Sequence, residues 1–333
     1  MQKLLLLGLI LLLQNYTSNA QIDSLRNGLK GKIIRALGKS STSPSVYYAG
    51  LKGNELGSGL IYRSEDAGVT WDPLYDGKPV GGYIADIQAI EQAKDPQRTL
   101  YVGTWKNGLF KSVDEGESWQ KDMHFPSADI RSIKAGIQNP LLVYAATSFF
   151  GVIKSVDGGQ TWKRNAAAVV NNSFQFAWSI EIDKNDDNII YAQTFRKGIW
   201  KSSDQGESWK QVLDTNGKVC WDMKVSKDSK EIWVASSISR DTLSAVFHSR
   251  DSGDTWEEIP NVPQIGVSQI NVLDRNNNKT VAIGSWKNGV FLYKNNKWVK
   301  SDHVDFHSIA EILVADDEFL IGSWGNGTYK LKL

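Results

Sequence analysis

The stretch Ser155-Val-Asp157-Gly-Gly159-Gln-Thr161-Trp162 decides the fold, because the chain contains its pattern five times. The other copies are Ser64-Glu-Asp66-Ala-Gly68-Val-Thr70-Trp71, Ser112-Val-Asp114-Glu-Gly116-Glu-Ser118-Trp119, Ser202-Ser-Asp204-Gln-Gly206-Glu-Ser208-Trp209 and Ser249-Arg-Asp251-Ser-Gly253-Asp-Thr255-Trp256. A short carboxylate in a turn accepts neighbouring backbone N–H groups, and hydroxyls join it. Glycine permits the left-handed backbone of a tight turn. The tryptophan covers the hairpin and buries a large apolar area. The string therefore reads as a structural turn rather than as five catalytic or calcium-binding carboxylates. A sixth unit keeps only the tryptophan. There Tyr293-Lys-Asn295-Asn296-Lys-Trp298 makes a shorter hairpin, with asparagines that tolerate positive φ. From Trp71, successive Trp-to-Trp spacings are 48, 43, 47, 47 and 42 residues.

A second string precedes these turns and extends the count. It reads Gly103-Thr-Trp105-Lys-Asn-Gly108-Leu-Phe110-Lys111 and Gln193-Thr-Phe195-Arg196-Lys-Gly198-Ile-Trp200-Lys201. It returns as Gly284-Ser-Trp286-Lys-Asn-Gly289-Val-Phe291 and Gly322-Ser-Trp324-Gly-Asn-Gly327-Thr-Tyr329-Lys330. Weaker copies are Ser148-Phe-Phe150-Gly151-Val-Ile-Lys154 and the stretches 236–247 and 48–62, which makes seven units. Each unit reads as four strands, by period-two alternation and Gly/Asn/Asp-rich joints. Strand A is an alternating run such as 130–135, 178–182 or 221–225. Strand B precedes the second string, strand C follows it, and strand D starts at the turn tryptophan. A period in the forties with four strands per unit is propeller spacing. The expected fold is all-β: a single seven-bladed β-propeller of four-stranded antiparallel blades over residues 21–333. The last unit stops after its strand C. Residues 22–29 are expected to supply the missing outer strand and close the ring, which leaves no raw sheet edge inside it.

Composition bounds what such a ring could do. Met1 to Lys3, the apolar run Leu4–Leu13 and the ending Ser18-Asn19-Ala20 describe a secretory signal peptide over residues 1–20. Its apolar core of about ten residues is too short to span a bilayer, which needs about 20. The mature chain is expected to have no membrane span and to be secreted or periplasmic, with no cysteine placed for a lipid anchor. Cys220 is the only cysteine, so no internal disulfide forms. A net charge of +1 supplies no global field for nucleic acid.

In a propeller the D–A and B–C connections share one face, and the repeated turns lie on the other. The B–C loops carry Trp105, Phe150, Phe195, Trp286 and Trp324, three of them followed by a cation (Lys106, Arg196, Lys287). Two readings of these rings stand: stacking on sugar rings, with cations meeting acidic groups, or packing between blades. The starts of strand A repeat less. One column there reads Asp86, Ser132, Ser179, Asp222, Gln269 and Ser308; its neighbour reads Ala85, Arg131, Trp178, Trp221, Ser268 and His307. Asp86, Arg131, Asp222 and His307 are expected at one polar mouth, beside Trp178 and Trp221. The connection 165–176, with Phe174, is a candidate lip. His303 and His307, near Asp302 and Asp305, read as a loop entering a strand. No metal or other cofactor is expected.

The repeated turn resembles the Asp box, or BNR repeat. With the second string it is similar to the Asp-box propellers of sialidases, two-propeller xyloglucan hydrolases, sortilin-type receptors and Ycf48-type photosystem assembly factors. The resemblance covers nearly the whole mature chain and implies that the boxes sit opposite the ligand face. Sialidases use six blades and an arginine triad. Here there are seven units, although Arg131, Arg196 and Arg240 could share a face. The xyloglucan hydrolases place one catalytic aspartate in each of two propellers. The first functional expectation is a binding protein for a glycan or an exported protein partner. The second is a glycan-degrading hydrolase or lyase with Asp86 and Asp222 as its acids, which general acid/base work requires at roughly 5–10 Å separation.

Overall fold

A computed structural model describes residues 22–25, 28–53, 60–75, 87–164, 176–275, 278–301 and 308–333. Residues 1–20, expected as a signal peptide, and Asp86, Phe174, His303 and His307 lie outside them. The chain forms seven four-stranded antiparallel sheets, each in simple up-and-down order. The innermost strands are Ile34–Lys39, Ile87–Gln92, Asp129–Ala135, Ala177–Ile182, Val219–Val225, Val267–Arg275 and Ile309–Ala315, which we take as strand A of blades 1 to 7. Each innermost strand packs on that of the next blade, and the seventh returns to the first. The protein is an all-β, seven-bladed propeller. Ile22–Leu25 pairs antiparallel with Thr328–Lys332, from Ile22↔Leu331 to Leu25↔Thr328, and so supplies the outer strand of blade 7.

The five repeated turns are one hydrogen-bonded object. In blade 3, Asp157 Oδ1 accepts from Ser155 Oγ (2.7 Å) and from the amide of Thr161 (2.9 Å), while Oδ2 accepts from the Thr161 hydroxyl (2.5 Å). Ser155 Oγ accepts the amide of Gly159 at 2.7 Å. Hydrogen bonds from Ser208 and Thr255 pull the equivalent Asp204 and Asp251 down to about 2. Three of the turns are also held by the preceding blade. Tyr101 and Lys111 of blade 2 donate to the Gly158 carbonyl of blade 3. Tyr144 and Lys154 do the same to Gln205, and Tyr191 and Lys201 to Ser252. Blade 6 lacks the turn. The corresponding pair of blade 5 becomes Trp233 stacked on His248, at 3.7 Å between ring centroids.

The second string is explained one layer further in. A Cβ on Gly103 would lie 2.4 Å from Ile130 Cγ2, on the first strand of the next blade. Gly50, Gly284 and Gly322 face Ile87, Ile309 and Ile34 in the same way, at 2.4–2.7 Å. Where the glycine is replaced, the facing residue shrinks: Ala146 meets Ala177, and Ala235 meets Val267. Gln193 instead donates to the Cys220 carbonyl. Interiors packed at crystal-like density require this matching of volumes.

Candidate functional site

Every innermost strand carries a β-bulge at the same place near its start. The register skips Arg35, Gln88, Arg131, Trp178, Trp221, Ser268 and Ala310 in blades 1 to 7. A bulge kinks the strand and re-aims a side chain. Here it serves the mouth of the central channel, where Arg35, Arg131, Trp178, Trp221 and Ser268 line a cavity of about 430 Å³. The bulges also fix the column of Asp222. It reads Ala36, Ala89, Ser132, Ser179, Asp222, Gln269 and Glu311. Sequence alignment sets blades 2 and 7 three residues too early. Ala89 and Glu311 hold the places expected for Asp86 and Ser308, and Ala310 holds that of His307.

The B–C loops complete the mouth. In blades 2 to 7 their strands end in a hydroxyl that closes the loop on its own backbone, as Thr104 Oγ1 does on the Gly108 carbonyl (2.7 Å) and Ser285 Oγ on that of Gly289 (2.9 Å). The next residue projects to the channel. It is Trp105, Phe195, Trp286 and Trp324 in blades 2, 4, 6 and 7. In blade 3 the hydroxyl is Thr147, bonded to Gly151, so the residue in that place is Ser148 and not Phe150. This corrects the expectation for Phe150, whose ring packs edge-on to Phe125 at 5.2 Å. In blades 3 and 5 the loop offers a serine that grips the bulge residue. Ser148 Oγ accepts from Arg131 Nε (3.1 Å), and Ser237 Oγ from Trp221 Nε1 (2.7 Å).

These side chains form a belt. Trp178 meets Phe195 at 5.3 Å and Trp221 at 5.2 Å; Trp221 meets Trp286 at 5.3 Å, and Trp286 meets Trp324 at 6.1 Å. Guanidiniums complete it. Arg35 lies 4.3 Å over Trp324, Arg240 lies 4.7 Å over Trp286, and Arg131 lies 5.2 Å from both Trp105 and Trp178. Arg196 sits 5.4 Å over Phe195 at the rim. Arg131 also pairs with Asp129 at 2.6 Å. Each aromatic pair of this kind adds roughly 0.5–1.5 kcal/mol beyond area burial, and a cation over a ring about 0.5–2 kcal/mol. The rings thus pack between blades and, by packing, wall the mouth. Trp105 is the most open of the tryptophans in this belt, 38% exposed.

Beneath the belt the channel is lined by charge. Lys134 lies 3.6 Å from Glu91 and 3.8 Å from Glu181, and Lys184 lies 3.4 Å from Glu181. Burial pushes the Glu91 carboxyl up, while Lys134 holds that of Glu181 down against its burial. Asp222 is buried, and its oxygens are fully engaged. Oδ1 accepts from the Met223 amide (2.8 Å) and Lys224 Nζ (3.0 Å), and Oδ2 from the Ile270 amide of the next blade (3.1 Å). Burial raises its pKa all the same. Glu311, half-buried in the same column, is pushed up to about 8 by burial, with Lys224 and Lys134 opposing and Asp222 adding to the rise. A second cavity of about 260 Å³ opens at the opposite end of the channel and shares Lys134, Glu181, Lys224 and Glu311. Among the described residues, no three His, Cys, Asp or Glu side chains gather as a metal site, and no helix is long and apolar enough to cross a membrane.

Arg35 and Glu311 are thus mouth and channel residues that sequence reasoning passed over, and Arg240 lines the same cavity as Arg131. The signal for Arg35 was present, since it aligns with Arg131 once blade 1 joins the column. Arg240 sits in a B–C loop longer than those of the two neighbouring blades, where column alignment has no purchase.

No protein-family model matches the chain. Xyloglucanase Xgh74A of Acetivibrio thermocellus is 33% identical over 102 residues, 28% of this chain and 12% of that protein. Vacuolar protein sorting/targeting protein 10 of Colletotrichum graminicola is 41% identical over 63 residues, 18% of this chain and 4% of that protein. The chain therefore spans a small part of the length of these relatives. Among solved structures, an ancestral GH74 enzyme superposes with a TM-score of 0.73 at 16% identity, covering 94% of this chain and 46% of the other. Ycf48 from Cyanidioschyzon merolae superposes with 0.66 at 12% identity, covering 94% and 99%. Ycf48 bound to a D1 peptide gives 0.67 at 14%, covering 96% and 98%. At these identities the likeness speaks for the fold.

Proposed function

We propose that the protein is an exported binding propeller whose ligand, a glycan, seats on the channel mouth opposite the repeated turns. The observation that carries this reading is the belt of indoles and guanidiniums around a cavity of about 430 Å³. Rigid aromatic walls with a few placed polar groups are what a ligand site needs. The repeated turns offer no competing site, because their carboxylates are consumed by their own hydroxyls and amides. Neighbours of the same fold include GH74 enzymes and a Ycf48 that holds a peptide, so a protein partner is the principal rival occupant. The test is a binding screen of the mature chain, residues 21–333, against polysaccharides and peptides. Retention of a polysaccharide that Trp105→Ala and Trp324→Ala weaken supports the reading. Retention of peptides alone, or of neither class, contradicts it.

One observation favours a second reading, cleavage of the bound glycan. Glu311 is held protonated near neutral pH below the mouth, as a general acid must be, with Asp222 alongside as a second carboxyl. Asp86 remains a proposed partner. In this reading Glu311→Gln abolishes release of reducing ends from the glycan that binds. An absence of any such release from the wild-type chain removes it.

A further inference from the structure

We infer that Phe149 and Phe176 form a second sugar-stacking subsite at the rim, just outside the mouth, and that the ligand is an extended neutral oligosaccharide reaching from the cavity across the junction of blades 3 and 4. This rests on the glycan-binding reading above and specifies the length and path of its ligand.

The repeat itself singles out Phe149. Two residues after the hydroxyl that closes the B–C loop stand Lys106 in blade 2, Arg196 in blade 4, Lys287 in blade 6 and Gly325 in blade 7. Cations and glycine are ordinary at a loop tip. In blade 3 the same place, counted from Thr147, holds Phe149, 64% exposed. The backbone there is left-handed, with φ of +62° at Lys106, +59° at Arg196, +100° at Gly325 and +90° at Phe149. A bulky residue in that region is strained, and strain of this kind gathers at ligand clamps. Blade 3 thus spends both strain and exposure to hold an aromatic ring outward where its neighbours hold a cation.

Phe176 completes the pair. The two rings meet edge-on, at 5.1 Å between centroids and 62° between planes, and Phe176 is 38% exposed. Both are held where they stand. Phe176 bridges to Ser148, and its carbonyl accepts the Phe195 amide at 2.9 Å. The loop of Phe149 is closed by Thr147, whose hydroxyl donates to the Gly151 carbonyl and accepts the Phe150 amide (3.1 Å). The pair also adjoins the belt. Phe149 follows Ser148, whose hydroxyl grips Arg131, and Phe176 stands two residues before Trp178. Neither ring lines the cavity, so aromatic surface continues from the mouth to the rim.

The size of the patch argues for its occupant. Taking roughly 200 Å² for each phenylalanine, the two rings together offer about 200 Å² of apolar surface. A stable protein interface takes about 800 Å² on each partner. A pair of rings suits the flat apolar face of a sugar, and the loss of the cation at this place favours an uncharged one.

The experiment is calorimetric titration of the mature chain with the dimer, tetramer and hexamer of neutral β-linked cello-, xylo-, manno- and laminari-oligosaccharides. At least one series is expected to bind, its hexamer at least about tenfold more tightly than its dimer. Phe149→Gly is expected to weaken that hexamer by about tenfold, the size of one placed aromatic contact. The dimer, occupying the cavity alone, should bind as before. Gly325 already fills this place in blade 7, and glycine carries no strain there, so the melting temperature should hold. Phe149→Lys copies blade 2 and should act likewise. If the hexamer binds no better than the dimer, or binds both variants as it binds wild type, the subsite falls and the glycan reading stands. If both variants weaken dimer and hexamer alike and melt lower, Phe149 serves packing and the subsite falls. If no oligosaccharide binds and no polysaccharide is retained, both fall.

Discussion

Trp162 and Trp105 belong to neighbouring repeats and do opposite work. Trp162 is buried over its own turn, whereas Trp105 is 38% exposed at the mouth. Trp162→Ala should therefore destabilise the fold by about 3–5 kcal/mol, read by denaturant unfolding, and leave ligand affinity in the surviving folded fraction unchanged. Glu311 supplies a pH signature. Its folded pKa, about 8, lies above that of an unfolded glutamate. The folded carboxyl keeps its proton while the unfolded one releases it, so this contribution to stability is complete at low pH and is lost as pH rises through about 8. Glu311→Gln removes the effect. The variant should gain in melting temperature relative to wild type between pH 5 and pH 8, with Asp222, Lys224 and Lys134 left in place around it. A constant difference across that range would contradict the assignment. The repeated turn was legible in the sequence at this scale because all its partners lie within four residues of the aspartate. Glu311 was not, because its environment is made by strands of other blades.

At the scale of the strand, the decisive device is the pairing of a strand B glycine with an isoleucine of the next blade. Gly103→Ala should cost about 1–3 kcal/mol by overpacking, because the new Cβ would press on Ile130. Ile130→Ala alone should cost about 2–5 kcal/mol through the cavity it leaves. The double variant recreates the Ala146–Ala177 pair and should lose measurably less than the sum, a coupling that a double-mutant cycle reads directly. Simple additivity would mean that the two residues do not share a packing site. The same pairing explains an error of register. Aligning the strand A starts by polar residues places Asp86 and His307 where the bulges put Ala89 and Ala310. A bulge adds one residue without a hydrophobic signature, so period-two patterning does not reveal it. The isoleucine opposite the glycine would have fixed the frame.

At the scale of the molecule, seven diverged units fold as one ring because each blade holds the turn, the glycine pocket or the bulge residue of its neighbour. The seam lies in blade 7, where Ile22–Leu25 provides the outer strand. Deleting residues 22–25 should lower the melting temperature by several degrees and promote association through the bared edge of Thr328–Lys332. Light scattering alongside calorimetry would show both, and an unchanged melt would mean that the strand does not close the ring. The blade count and this closure were legible because repeats fix a period and the last repeat lacks a strand. The belt was legible only in part. Trp105, Trp286 and Trp324 stand in a repeated string and Arg35 in the bulge column, but Arg240 reaches the belt from a place the repeat does not mark. The central claim is that ligand meets the belt rather than the repeated turns. It is tested most directly by titrating Trp105→Ala with the polysaccharide that the screen retains. Affinity should fall by about tenfold or more, in line with the 1–3 kcal/mol that a placed aromatic contact contributes, with the melting temperature unchanged. Wild-type affinity in that variant would contradict the account.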